Sequence, residues 1–339
     1  MDRFIVGTGR CGSTLLSRML AQSPEMASLF EFFNGLPGNR FAPGTMSGAE
    51  LWEIISKPHP FVTMVTSRGH RVEEVTYPFD RPGVRFTPDD LLPWLLVSTL
   101  PALTDDPDAL FDESRAFVSV QPHRTPADHY RTYFQWLAEQ TGRTMWNERS
   151  GGGIEYLPEL ARSFPGARFV HLHRAGEETS LSMREHAAFR LAISIVYNLD
   201  PEVDLATALS AITPQPGADD PVARMLARRP HAAHFGVFWS DQLMNGYRGV
   251  QLLEPGQYIE VSFEDLVDDP RTTLRRIAAH FAMDPEASGW IERAAAMVRG
   301  RPPERAGELP VEERERLAET CRAGNRLLGR AVAPKIALA

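Results

Sequence analysis

The chain has 339 residues, of which 43% are hydrophobic and 24% are charged. This composition is typical of a globular protein with a buried core, and the length is sufficient for one large α/β domain or two ordinary ones. The formal net charge of −8 argues against nucleic acid as a partner, so an anionic ligand would need a local cluster of basic residues. The two cysteines, Cys11 and Cys321, form neither a disulfide framework nor a zinc-binding pattern.

Apolar periodicity predicts strands and helices that alternate along most of the chain. The first strand covers Arg3–Thr8, a helix follows over Ser13–Ala21, and a second strand covers Met26–Phe30. Further strands are predicted over residues 143–146, 167–173 and 258–262, and further helices over residues 89–103, 128–141, 154–164, 176–186, 231–251, 270–281, 285–298 and from about 311 onwards.

Two regions interrupt this alternation. Residues 34 to about 88 are rich in glycine, proline and aromatic residues and have weak periodicity, which favours irregular structure. Residues 199–230 are rich in proline and are interpreted as a second insertion or a lid. We therefore treat residues 34–125 and 199–230 as insertions into the regular fold.

Alternating strands and helices predict a three-layer α/β/α fold with a central parallel sheet, formed by a single domain over residues 1–339. In such folds, ligands bind beyond the carboxyl ends of the strands. Four chemically distinctive stretches fall at predicted strand ends: GTGRCGST (7–14), EFF (31–33), NERSGG (147–152) and HRAGEE (173–178). Their common position predicts one shared site.

The sequence also bears on where the protein acts. No apolar run reaches the length of a transmembrane helix. The glycine-rich loop begins at residue 7, which leaves no space for the regions of a signal peptide. We expect a cytoplasmic protein without stable membrane insertion, and the sequence leaves both a monomer and a homo-oligomer open.

The stretch GTGRCGST has the strand, glycine-rich turn and helix of a loop that binds phosphate through backbone N–H groups. Gly9 and Gly12 permit the required backbone angles, Ser13 and Thr14 add hydroxyl donors, and Arg10 adds a planar cation. A Walker A loop would carry a lysine where Ser13 stands, so this is a poor ATPase loop. We expect the Cys11 side chain to be a small packing group.

The later strand FVHLH is followed by Arg174 rather than by the aspartate that would hold Mg²⁺ in an ATPase. Ser182 lies eight residues beyond this arginine, in a predicted helix. An arginine at a strand end and a serine near a helix start could contact one anion, or could be an unrelated surface pair. The sequence thus predicts nucleotide binding by arginines and hydroxyls without a metal.

Together these segments resemble the nucleotide-binding motifs of sulfotransferases that use 3′-phosphoadenosine 5′-phosphosulfate. GTGRCGSTLL is similar to the family's 5′-phosphosulfate loop, and FVHLHRAGEETSLS is similar to its 3′-phosphate motif. Residues 258–281, YIEVSFEDLVDDPRTTLRRIAAHF, resemble a third family segment. The arginine in the first loop is closer to the bacterial and membrane-type branches than to the animal cytosolic branch, which has lysine there.

The resemblance implies a P-loop-like sulfotransferase fold, the phosphosulfate nucleotide as co-substrate and adenosine 3′,5′-bisphosphate as product. Arg174 and Ser182 would contact the 3′-phosphate, and Arg149 would lie beside the phosphosulfate. Arg301, in a basic loop near the C-terminus, would close over the nucleotide. The phosphosulfate loop would consist of Gly9, Arg10, Cys11, Gly12, Ser13 and Thr14, with Arg10 as its basic contact and a catalytic group.

Sulfuryl transfer also needs a general base that takes the proton of the acceptor. Glu31 is our candidate, because several bacterial branches have a glutamate at the end of this strand and neighbouring phenylalanines would raise its proton affinity. A solvated acid at a strand end is the alternative. His123 is a second candidate without motif support, whereas His171 and His173, on one face of a strand, are interpreted as structural histidines. We expect the acidic stretch 264–269 to be a solvated turn and helix cap.

The acceptor is predicted only as a class, most simply a hydroxyl of a small molecule, lipid or sugar. The two insertions would form its pocket, and several apolar side chains are either pocket or core residues: Phe30, Phe33, Phe61, Met64, Trp94 and Trp136. Two other functions remain open from the sequence: a metal-dependent small-molecule kinase with a degenerate loop, and a non-catalytic nucleotide-binding module.

Overall fold

The computed structural model describes residues 1–201, 203, 205–212 and 220–330. Its centre is a parallel sheet of five strands in the order β2-β3-β1-β4-β5. The strands are β1 (Arg3–Val6), β2 (Met26–Phe30), β3 (Met145–Arg149), β4 (Arg168–His173) and β5 (Tyr258–Ser262). All five carboxyl ends therefore meet at one edge.

Helices connect the strands and pack around the sheet. They are α1 (Ser13–Leu20), α2 (Gly48–Ile55), α3 (Pro60–Thr66), α4 (Pro107–Ser119), α5 (Pro126–Gln140), α6 (Leu157–Ser163), α7 (Gly176–Glu185), α8 (Ala187–Val196), α9 (Leu205–Ser210), α10 (Pro221–Ala227), α11 (Ala232–Val250), α12 (Phe263–Asp268), α13 (Pro270–Phe281), α14 (Trp290–Ala295) and α15 (Val311–Leu327). Among the described residues, no helix is both long and apolar enough to cross a bilayer.

Both faces of the sheet are buried by helices. Along β1, Phe4 and Val6 join one apolar cluster while Ile5 joins the other, as the two-residue period of a strand requires. The first cluster includes residues of α5, α6 and α11, and the second includes residues of α1, α13 and α14. The predicted three-layer α/β/α fold with a parallel sheet is confirmed.

Several helix boundaries follow from local capping chemistry. Ser47 and Glu50 form a reciprocal capping box at the start of α2. The side chains of Asp106 and Thr125 accept backbone N–H bonds at the starts of α4 and α5, each with proline at the first helical position. Asp269 caps α13 in the same way, which is the cap predicted at the end of the acidic stretch.

Some predicted elements are wrong in place or kind. The helix predicted over residues 89–103 is reduced to one π-helical turn, Leu95–Thr99, and the region expected to be irregular contains α2 and α3. Helices α4 and α8 are absent from the prediction. The strand predicted over residues 143–146 is β3, which continues through polar residues to Arg149, where Glu148 and Arg149 both find buried hydrogen-bond partners.

The second insertion and the C-terminal region also differ from expectation. Within residues 199–230, the structure contains α9 and α10, while residues 202, 204 and 213–219 lie outside the described residues. The helix predicted over residues 285–298 is a single short 3₁₀ turn followed by α14. The packing of α3, α8, α9 and α10 creates a third apolar cluster beside the main fold.

Candidate functional site

One cavity of about 760 Å³ lies at the carboxyl ends of the strands and brings the predicted stretches together. Residues from all of the first four strand ends line it, from Gly9 after β1 to Arg174 after β4. The predicted site residues in its lining are Gly9, Arg10, Gly12, Ser13, Thr14, Glu31, Arg149, Arg174 and Ser182. The opposite wall comes from residues 59–97.

The loop between β1 and α1 has the backbone that the glycines predict. Gly12 has φ of 92°, and a Cβ built there would lie 2.3 Å from the ring of Phe263. Gly9 has φ of 75°, and Arg10 itself has φ of 54°. Helix α1 begins directly after Gly12, and within the described chain no side chain caps its N-terminus. The positive end of the helix is thereby left to face the cavity.

Cys11 lies behind this loop and not in the cavity lining. Its side chain is fully buried among the apolar residues between β1 and α1. Burial raises the pKa of the thiol, so the reactive thiolate is disfavoured. This position suits the packing role expected for the Cys11 side chain.

The guanidinium of Arg10 is held from two sides. Its Nε donates to Ser182 Oγ at 3.3 Å, which joins the two motifs predicted to bind the nucleotide. Its Nη1 donates to Glu73 Oε2 at 2.9 Å and to Glu74 Oε1 at 3.2 Å. The side chain of Arg10 is 20% exposed, so this ion-pair cluster lies partly out of water.

Glu74 also contacts His186, at the junction of α7 and α8. Glu74 Oε2 and His186 Nε2 are 2.8 Å apart. Burial acts to raise the pKa of Glu74, but the hydrogen bond and charge of His186, together with the charge of Arg10, outweigh it and lower the pKa to about 2. Glu74 is thus a carboxylate at any ordinary pH. His186 lines the cavity, and its buried Nδ1 has no hydrogen-bond partner among the described residues.

Glu31 follows β2 and is held in a tight network. It has φ of 55°, and its side chain is 5% exposed. One carboxylate oxygen pairs with Arg149, and the other accepts hydrogen bonds from the Gly151 N–H at 2.9 Å and from the Asn34 amide. Burial raises the pKa of Glu31 in spite of the opposing charge of Arg149. It is therefore no solvated acid.

Arg149 connects this carboxylate to the loop. Its Nε donates to Ser17 Oγ of α1 at 3.2 Å, and its guanidinium carbon lies 4.8 Å from the centroid of the Phe30 ring. The side chain is 2% exposed but still reaches the cavity lining. Arg149 thereby holds the ends of β2 and β3 and the first helix in one geometry.

A second buried carboxyl, Glu148, lies next along β3. Burial raises its pKa to about 8, although the hydrogen bond from Ser150 acts to lower it, and the charge of Glu31 raises it further. Glu148 Oε1 accepts the Ser150 hydroxyl at 2.5 Å. At neutral pH this carboxyl is mainly protonated, unlike Glu74.

Arg174 reaches the cavity from the end of β4. Its guanidinium carbon lies 5.1 Å from the centroid of the Phe263 ring, and its Nη2 lies 3.8 Å from Glu178 Oε2. Burial lowers the pKa of Arg174, and a buried cation of this kind favours an anionic partner. The same Phe263 ring thus separates the glycine loop from Arg174.

Other predicted residues lie outside this cavity. Arg301 is exposed, pairs with Asp268, and lines a neighbouring surface pocket that also includes Thr14 and Phe263. His123 is exposed and away from the lining. The stretch 264–269 is helical rather than a simple turn; Asp265, Asp268 and Asp269 are exposed, whereas Glu264 is partly buried, pairs with Arg330 and accepts the Ala175 N–H.

The two histidines of β4 have the structural surroundings expected for them. His171 is fully buried, with Nδ1 2.7 Å from the Tyr258 hydroxyl, and burial lowers its pKa well below the usual value. Burial and the charge of Arg330 lower the pKa of His173 to about 4. Within the described part of the chain, no group of three or more His, Cys, Asp or Glu side chains is placed to hold a metal ion.

The wall opposite the loop mixes apolar and acidic groups. Of the aromatic and methionine side chains proposed for a pocket, Phe61 and Trp94 line the cavity, Phe30 lines an adjoining pocket, and Phe33 and Met64 are core residues. Trp136 stacks on Phe117 instead. None of the described residues of 199–230 lines the cavity, so the lid expected there is not part of it.

Sequence reasoning missed Glu73, Glu74, His186 and Phe263. Phe263 directly follows β5, so the strand-end rule applied to all strands would have found it. His186 lies four residues beyond Ser182, directly after the end of α7. Glu73 and Glu74 carry no such signal, because they lie in a region with weak periodicity.

No family model matches the chain, and no curated protein matches it. The solved structures to which it is similar include sulfotransferase STF9 from Mycobacterium avium, with 16% identity, coverage of 98% of this chain and 78% of that chain, and a TM-score of 0.45. The sulfotransferase domain of the Synechococcus PCC 7002 olefin synthase has 15% identity, coverage of 99% and 90%, and a TM-score of 0.44. Sulfotransferase STF1 from Mycobacterium tuberculosis has 20% identity, coverage of 94% and 76%, and a TM-score of 0.43. At these identities the likeness concerns the fold.

Proposed function

We propose that this chain is a sulfotransferase that transfers a sulfuryl group from 3′-phosphoadenosine 5′-phosphosulfate to an acceptor hydroxyl. The observation that carries the proposal is the convergence of Arg10, Arg149, Arg174 and Ser182 on one cavity. These residues belong to three separate strand-end motifs, and an unrelated surface arginine would have no reason to join them. The same cavity has an apolar wall that can take a second substrate.

The residues present fit an adenosine nucleotide with phosphates at two ends. The uncapped start of α1, with Ser13 and Thr14, offers donors for the 5′-phosphosulfate, and Arg10 and Arg149 offer positive charge beside it. Arg174 and Ser182 would hold the 3′-phosphate. The nucleotide supplies the activated sulfuryl group. The cations and N–H groups of the loop would stabilise the negative charge that develops on the leaving phosphate.

On the acceptor side, Glu31 is the proposed base. Its raised pKa is favourable for taking a proton near neutral pH, and it lines the cavity beside Arg149. The hydrogen bonds from Gly151 and Asn34 fix the carboxylate in place, so that one orientation faces the acceptor. The apolar wall, which includes Phe61, Val62 and Trp94, would exclude water from the reacting groups.

The first experiment compares two nucleotides on two proteins. Binding of adenosine 3′,5′-bisphosphate and of ATP with Mg²⁺ is measured by thermal shift and calorimetry on the wild type and on Arg174→Ala. At 100 times its Kd, the bisphosphate should add about 2.7 kcal/mol to the free energy of unfolding of the wild type. We expect Arg174→Ala to weaken this binding at least about 100-fold, because the 3′-phosphate loses its charged partner.

The control is Arg271→Ala, which removes an exposed arginine that is paired with Glu292 and does not line the cavity, so binding should be unchanged. Binding of ATP with Mg²⁺ but not of the bisphosphate would contradict the proposal and support a kinase. Transfer is then measured with radiolabelled donor and a panel of alcohols, phenols, sugars and lipids. Bisphosphate binding without transfer to any acceptor would instead support a non-catalytic module, and unchanged transfer by Glu31→Gln would refute the base assignment.

A further inference from the structure

The predicted anion-binding arginines are neutralised by the protein's own carboxylates. Arg149 pairs with Glu31, Arg174 lies beside Glu178, and Arg301 pairs with Asp268. The first two pairs connect residues that the motifs already contain or adjoin. The pairing of Arg10 is different, because its partners Glu73 and Glu74 come from the opposite wall and belong to none of the predicted motifs.

We infer that Glu73 and Glu74 form an acidic latch that occupies Arg10 in the absence of nucleotide and competes with the phosphosulfate group for it. The inference rests on the proposed function, since it assigns a competitor to the proposed donor site. Two carboxylates within 3.2 Å of one guanidinium nitrogen occupy Arg10 where an anionic ligand must arrive. The donor therefore has to displace them from Arg10.

Several contacts show that the latch belongs to the cavity wall. The Glu74 carbonyl accepts the Ser98 hydroxyl, and the Thr76 N–H donates to the Val97 carbonyl at 2.8 Å. These bonds attach the latch to the segment that carries Trp94 and Val97, both of which line the cavity. Displacement of the carboxylates from Arg10 consequently acts on the wall that would face the acceptor.

The two carboxylates do not leave Arg10 with equal cost. Glu73 is 64% exposed at its side chain, so water can solvate it once Arg10 is gone. Glu74 is 24% exposed and keeps its bond to His186, which supplies a second partner. After release of Arg10, Glu73 would therefore be solvated by water, and Glu74 would stay paired with His186. By thermodynamic linkage, the factor by which the latch lowers the affinity for the nucleotide equals the factor by which bound nucleotide weakens the contact between the latch and Arg10.

The latch is tested by the affinity for adenosine 3′,5′-bisphosphate and for pyrophosphate in the wild type, Glu73→Gln, Glu74→Gln and the double variant. Glutamine keeps the shape but removes the charge and replaces one acceptor oxygen by an NH2 donor, and Glu73→Gln leaves the Glu74–His186 contact intact. We expect each single variant to bind the bisphosphate a few-fold tighter and the double variant at least about tenfold tighter. The control is Glu185→Gln, which removes one charge from the helix of Ser182 but is paired with Arg229; its affinity should change less than about twofold.

Unchanged or weaker bisphosphate binding by the double variant, with the wild type binding normally, would overturn the latch and leave the proposed function standing. The latch would also be overturned if the affinity of the double variant rose only as much as that of Glu185→Gln, because the change in net charge would then explain the effect. If the bisphosphate binds none of the proteins but pyrophosphate binds the double variant more tightly, the donor assignment fails and the latch on an anion site stands. Absence of both effects would refute both.

Discussion

The two sides of the cavity are built from segments with different local structure. The loop side consists of the turns after β1 and β4, residues 7–14 and 174–182, which join a strand to a helix directly. The wall side consists of residues 59–97 and the ends of β2 and β3, where short helices, a π-helical turn and buried carboxyls come together. The loop side depends on backbone conformation and the wall side on long-range polar contacts.

Two carboxyls of the wall side differ in their response to pH. Glu148 has a pKa raised to about 8, whereas Glu74, which contacts Arg10 of the loop side, has a pKa lowered to about 2. A raised pKa destabilises the folded state as pH rises above the unfolded value, and a lowered pKa destabilises it as pH falls below that value. The two glutamates should therefore have opposite effects on stability.

The largest effect is expected for Glu148→Gln. The folded wild type keeps a proton that the unfolded chain loses above the ordinary glutamate value of 4.5, so this group costs stability as pH rises towards 8. Over that window, the free energy of unfolding of the variant relative to the wild type should rise by up to about 1.4 kcal/mol per pH unit, or several kcal/mol in all. The measurement is the free energy of denaturant unfolding at several pH values. Exposed Glu155→Gln is the control, and a difference that does not vary with pH would contradict the assignment.

Gly12→Ala tests the loop side and should cost about 2 kcal/mol more than Gly44→Ala. Both glycines have strongly positive φ, 92° and 97°, so both alanines carry the same backbone strain. Only Gly12 faces a neighbour, the Phe263 ring at 2.3 Å, whereas nothing lies within 4 Å of a Cβ at Gly44. Thermal and denaturant unfolding of the two variants would measure the difference. Equal destabilisation would show that the Phe263 contact imposes no requirement on the loop.

The smallest effect concerns how the wall holds Glu31. The Trp94 indole donates to the Glu31 carbonyl at 2.7 Å and to the Phe32 carbonyl at 3.0 Å, and so supports the positive φ of Glu31. Trp94→Phe should be less stable than Trp146→Phe by about 1 kcal/mol, because both lose ring volume in the core but only the first loses a hydrogen bond. Equal unfolding free energies for the two variants would contradict this role for Trp94.

Much of the loop side could be predicted because its requirements are local. A glycine pattern after an apolar run, or an arginine at the end of a buried strand, has the same meaning wherever the rest of the chain lies. The strand positions of β2 and β5 were predicted to the residue for the same reason. The placement of Glu31 at a strand end was also visible, but its network with Arg149, Gly151 and Asn34 was not.

The sequence by itself determined the alternation of strands and helices, the glycine loop, and the arginines and serine of the two motifs. Only the tertiary structure decided which acids meet those arginines, and it brought Glu73, Glu74 and His186 into the cavity from positions that the sequence did not single out. The physical reason is that a backbone turn is specified by its own residues, whereas a buried charge is stable only where the fold supplies a partner. That partner can come from any distance along the chain.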